Sequence, residues 1–167
     1  MFDKIIRRLS VCTLLTAAVL LTSQLPQAAA QVAERPGWVV VPTGHSYKDL
    51  TNRVQQAAEQ HKIGVVAAAS ATVGIKKLLD KEVAGNVVIG LYHPRFAIRM
   101  LEASTAAGIE APIRIYITEN ADGTATLSYK TPSHVFAPYM DEGGDELKAL
   151  ADELDALFAA LVKDAAG

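Results

Sequence analysis

Four histidines, His45, His61, His93 and His134, are the side chains in this sequence best suited to proton transfer or metal ligation near neutral pH. No two of them have the tight spacing of a metal motif, so no metal site is assigned. His45 and His93 are the more informative pair. Each follows a strand-like run and precedes a helix-like one, where free helix N–H groups attract an anion. If the strands beginning near Trp38 and Val87 are parallel neighbours, both histidines share one sheet edge. Arg95 and Arg99, four residues apart, would then add positive charge, and the expected ligand is a small anion. His134 lies among Tyr129, Phe136 and Tyr139, an aromatic group that either lines a pocket or closes the core. His61 ends a helical pattern and reads as structural, since a partial positive charge suits the helix dipole. The plainer alternative for the rest is that His93 caps a turn, as asparagine does, and that Arg99 pairs with Glu102 at the surface.

Other chemistries lack their residues. The sequence contains no phosphate-binding loop, no dinucleotide fingerprint, no serine-hydrolase elbow and no H-E-x-x-H. No carboxylate pair is placed as an acid/base couple, and nothing calls for a cofactor. The 16 Lys+Arg against 18 Asp+Glu give a formal net charge of −2. A mildly acidic chain without a basic cluster is a poor nucleic-acid binder. It also lacks the basic amphipathic helix of a membrane-surface protein.

The elements that must position these residues follow from periodicity. Residues 38–43, "WVVVPT", are β-branched and bounded by glycines, which predicts a strand. Tyr47, Leu50, Val54, Ala57 and His61 then recur at helical spacing, with Ser46 and Asp49 forming a capping box. A buried strand is predicted over 64–70, a short helix over 73–83 ended by Gly85-Asn86, and a strand over 87–92. Pro94 suits the first turn of the next helix, whose face carries Phe96, Ala97, Met100 and Leu101. Ile113, Ile115 and Ile117 alternate with Arg114, Tyr116 and Thr118, and an Asp122-Gly123 turn leads to Ala125, Leu127 and Tyr129. Residues 131–140 read as a proline-punctuated connection. The last helix carries Leu147, Leu150, Leu154, Phe158 and Leu161 in one stripe. The order is β-α-β-α-β-α-β-β-α. It predicts an α+β fold of two layers, a mixed five-stranded sheet with helices mainly on one face.

Residues 1–30 read as a signal peptide. Lys4, Arg7 and Arg8 precede a short apolar run over 11–21, and Ala28 and Ala30 bracket a small-residue cleavage site. The expected location is periplasmic or secreted, with no stable membrane span after cleavage near Ala30. Cys12, the only cysteine, would leave with that segment, which excludes disulfides and a thiolate nucleophile from the mature chain. Residues 31–37 form a leader, and residues 38–164 a single domain.

Several stretches, in order, resemble the DUF302 family of small α/β domains. They are the helix at 46–61, "VVIGLYHPRFAIRML" from Val87, "APIRIYI" from Ala111 and "YKTPSHVF" from Tyr129. Pro94, Ala97, Leu101 and Pro112 match the family pattern, while His93 stands for its usual asparagine and Ile113 for its cysteine. The resemblance implies a two-layer fold and a homodimer, and it implies no established reaction.

Two readings follow. The first is an exported, non-catalytic module that binds a small ligand or a protein partner. The second is a small metal- or histidine-dependent enzyme, or a haem or metal carrier, that uses His45 and His93. The second requires the histidines to converge.

Overall fold

A computed structural model of the chain describes residues 32–167. The export segment expected at residues 1–30, Cys12 included, lies outside the described residues. The strands are β1 (Trp38–Ser46), β2 (Gly64–Ala69), β3 (Asn86–Tyr92), β4 (Ile113–Glu119) and β5 (Thr124–Lys130). The helices are α1 (Tyr47–Gln60), α2 (Ala71–Leu79), α3 (Pro94–Ala103), the short α4 (Pro132–Phe136) and α5 (Met140–Ala166). The class is α+β, as the periodicity predicts.

Local chemistry starts each helix. The Ser46 hydroxyl accepts the N–H of Asp49 at 3.2 Å, which caps α1, and donates to the Asp49 carboxylate at 2.8 Å, so that carboxylate takes the hydroxyl rather than the Ser46 N–H of a full capping box. Ser70 caps α2 by accepting the N–H of Val73. Within α5, Gly144 takes φ 54°, ψ −149°, which breaks the helix after its first turn; glycine adopts this left-handed φ without a Cβ penalty. One expected loop is helical instead. Thr131 caps α4 and Pro132 takes its first turn, where a missing N–H costs nothing.

The sheet order is β1-β5-β4-β3-β2, and every neighbouring pair is antiparallel. This corrects the expected mixed sheet. α2 and α3 each sit between strands that pair antiparallel with one another, so they act as long hairpin connections rather than parallel crossovers. α1 alone spans the sheet, joining β1 at one edge to β2 at the other and touching all five strands.

The helix-covered face holds the core. Ile89, Ile115, Ile117 and Leu127 are fully buried against Leu50 and Val54 of α1 and Leu147, Leu150, Phe158 and Leu161 of α5. Each such side chain contributes about 1.5–3 kcal/mol of transfer free energy, so this layer carries the stability of a chain whose described part has no cysteine. The other face is largely uncovered. Arg114 and Lys130 are exposed on it, and Trp38, Val40, Val88 and Tyr116 are half-buried.

Candidate functional site

The antiparallel pairing separates the two histidines that sequence reasoning set together. β1 and β3 run in opposite directions with β5 and β4 between them. His45, near the end of β1, and His93, just past the end of β3, therefore lie at opposite ends of the sheet. A shared His45–His93 site is ruled out, and the histidine enzyme or carrier reading loses the convergence it needs. His134 does lie at the His93 end, packed beside Gly37 at the start of β1. However, β1 and β3 are three strand spacings apart, about 14 Å. Among the described residues, no group of three or more His, Cys, Asp or Glu is arranged to hold a metal ion.

His93, Arg95, Arg99 and His61 each have a structural partner. His93 is the N-cap of α3: its Nδ1 accepts the Arg95 N–H at 3.0 Å, and its ring meets Phe96 edge-on at 5.9 Å. Arg95 reaches Glu153 of α5 at 3.3 Å. Arg99 donates to Glu153 at 2.6 Å and to Glu146 at 2.9 Å, not to Glu102. Those two carboxylates, Glu153 first, hold the Arg99 guanidinium above its already high pKa. Both arginines thus clamp α3 to α5 and are neutralised there. His61 sits 2.8 Å from Asp164, which joins the end of α1 to the end of α5. The space behind His93 is an apolar cavity of about 30 Å³, lined by Leu91, Phe96, Met100 and Phe158. That is room for about one water and too small for an organic ligand.

A larger concavity lies on the uncovered face of the sheet. Strand register builds it. One transverse row runs Trp38, Lys130, Arg114 and Gly90; the next on the same face runs Val40, Ser128, Tyr116 and Val88. Trp38, Lys130 and Arg114 of the first row and Ser128, Tyr116 and Val88 of the second line a cavity of about 440 Å³, together with Glu110 and Val135 of α4. This volume falls in the range of small-molecule sites.

The chemistry of this cavity is one-sided. Lys130 meets no carboxylate among the described residues, and its Nζ lies 5.8 Å from the Trp38 ring centroid. Arg114 has one distant carboxylate, Glu110 at 3.9 Å. Glu110 is itself engaged, because the Tyr139 hydroxyl donates to it at 2.9 Å. That bond, ahead of desolvation, raises the Tyr139 pKa. Among the lining residues, Ser128 is fully buried and its hydroxyl has no hydrogen-bond partner, a state it shares with Thr118 outside the cavity. A buried hydroxyl without a partner costs about 1–3 kcal/mol, a cost that a bound acceptor would remove.

Sequence reasoning named Tyr129, which lines this cavity, and Tyr139, which holds Glu110, only as parts of an aromatic group beside His134, and it did not single out Ser128, Lys130, Arg114 or Glu110. Alternation does assign Arg114 and Tyr116 to the face opposite the isoleucines. The missing information was register, which alone sets Trp38, Lys130 and Arg114 in one row.

A family model described as "Domain of unknown function DUF302" matches residues 39–164, well over half of the chain. No curated protein matches it. Among solved structures, the chain is similar to the crystal structure of an uncharacterized conserved DUF302 protein from Bacillus stearothermophilus. The two are 18% identical, with 78% of this chain and 99% of that chain covered and a TM-score of 0.67. At that identity the likeness carries the fold alone.

Proposed function

The chain belongs to the DUF302 family, a domain of unknown function, and from that premise we propose that it is an exported, non-catalytic module that binds a small anionic ligand on the open face of its sheet. The observation that carries this reading is Ser128: a fully buried hydroxyl without a partner, lining a cavity with two cations beside it. Hydroxyl, guanidinium and ammonium all donate to an anion. The cavity offers no activated nucleophile and no acid/base pair, since its one carboxylate is held by Tyr139. Export rests on the signal-peptide pattern of residues 1–30.

Trp38 is the only tryptophan, so its emission is a single-site signal at the wall of the cavity. The test is a titration of that emission with organic carboxylates and phosphates, set against neutral amides. A saturable change is expected with anions only, and it should be lost when Arg114 and Lys130 are both changed to Gln. No response to any anion would overturn the reading.

A second surface supports the interaction reading and the homodimer. Residues 64–84 contain no buried residue, although they form β2 and α2. Val66 is 57% exposed, Leu78 79% and Leu79 63%, and the outer edge of β2 pairs with no other strand among the described residues. An apolar edge strand without lysine or proline invites strand addition. The stretch is about the size that each partner contributes to a standard interface.

A further inference from the structure

The cavity on the open face is not a generic anion site, because its walls are mostly apolar and its donors are few. We propose that it selects a flat aromatic monocarboxylate, an inference that rests on the anion-binding reading above and narrows it.

The strand register fixes where each part of such a ligand goes. Continuing the Ile115–Tyr129 pairing by one residue sets Arg114 opposite Lys130, toward the strand ends from the Tyr116–Ser128 pair. Their charges therefore gather at one end of the cavity. Trp38 lies beyond Lys130 on β1, and Tyr116 lies beside Ser128 on β4, so two aromatic side chains flank the floor. Val88 continues that floor past Tyr116. A molecule with a charged end and an apolar, planar body matches this polarity. The ring would stack on Tyr116 and cover Val88, with Trp38 beside the charged head in the Lys130 row. Its head would meet the guanidinium fork, which suits the two oxygens of a carboxylate.

The same inventory argues against inorganic phosphate and against long polyanions. The neighbouring strand backbones are paired within the sheet, so no cradle of free N–H groups is available. Two cations and one hydroxyl satisfy one carboxylate. A phosphate dianion would remain under-coordinated, against walls that offer it nothing. The Trp38 ring is also approached at 4.8 Å by the guanidinium of Arg35, a residue that does not line the cavity.

The experiment follows the single indole N–H signal of Trp38 by NMR in the whole protein during titration. The probes are 2-naphthoate, cyclohexanecarboxylate, 2-naphthamide and inorganic phosphate. The expected result is saturable shifts with 2-naphthoate, at least ten-fold tighter than with each of the other three. Arg114→Gln should weaken 2-naphthoate binding ten-fold or more, and Ser128→Ala should weaken it several-fold, with circular dichroism unchanged in both. If cyclohexanecarboxylate or phosphate binds as tightly as 2-naphthoate and still depends on Arg114, the aromatic selection is wrong and the anion site stands. If 2-naphthamide binds as well as the carboxylate, or no probe moves the signal, both fall.

Discussion

The His93 ring nitrogen Nδ1 accepts the backbone N–H of Arg95 at 3.0 Å, so this histidine does at the start of α3 what asparagine does at other helix N-termini. The bond requires Nδ1 to be unprotonated. His93→Ala should lower stability by about 1 kcal/mol, the usual cost of losing an N-cap, while His93→Asn should restore most of it. Urea midpoints of the three proteins provide the measurement. An Asn variant as unstable as the Ala variant would show that the cap is not what the ring contributes.

Arg99 bridges Glu146 and Glu153 at 2.9 and 2.6 Å, with its side chain 31% exposed. Solvent and salt screen such a pair. Arg99→Met should therefore cost no more than about 1 kcal/mol, and the cost should shrink at high ionic strength. A double-mutant cycle with Glu153→Gln, run at low and high salt, isolates the interaction. A large, salt-independent loss would mean that packing of the arginine stem dominates.

In the β4–β5 turn the Asp122 carboxylate accepts the Thr124 hydroxyl at 2.6 Å and the Thr124 N–H at 3.0 Å. These bonds, the hydroxyl first, hold the Asp122 pKa below its ordinary value. A folded pKa below the unfolded one means that the contribution to stability is present above about pH 4. It is lost as the pH falls through the folded value. Carboxyl NMR should give a depressed midpoint for Asp122, moving upward in Thr124→Val. An unchanged midpoint would refute the hydroxyl's role.

Gly37 has φ +73°, and a Cβ added there would fall on the His134 ring. Gly37→Ala should thus cost at least about 2 kcal/mol, from backbone strain and the clash together. Adding His134→Ala should recover only the clash. Thermal melts of both variants are sufficient; full recovery in the double variant would show the backbone to be unstrained.

The exposed β2 edge predicts self-association. Light scattering should give a dimer at micromolar concentration and a monomer for Val66→Lys, whose position is already exposed and should fold normally. A monomeric parent protein would remove the homodimer.

The limits of sequence reasoning show at particular residues. The alternation of Ile113, Ile115 and Ile117 marks the buried face of β4, and all three are buried. The stripe from Leu147 to Leu161 likewise marks the face α5 presents to the sheet. The β2 residues were expected to be buried, and all six are exposed, because β2 forms the sheet edge, where α1 touches the strand without covering its side chains. A run of small and β-branched residues does not reveal whether its strand is central or terminal.

Apart from α4 and the exposure of β2, which escaped it, the sequence by itself determined most of the strands and helices, the apolar faces of β4 and α5, and where Ser46 and His93 start their helices. Those are properties of a few neighbouring residues: period, capping and turn chemistry act within about one or two turns of chain. Only the tertiary structure decided the antiparallel pairing. It thereby placed His45 and His93 at opposite ends and set Trp38, Lys130 and Arg114 in one row beside Ser128. Strand order and direction depend on how α1 and α5 cover the sheet as a whole, an interaction between residues far apart in the chain. Local spacing carries no record of it.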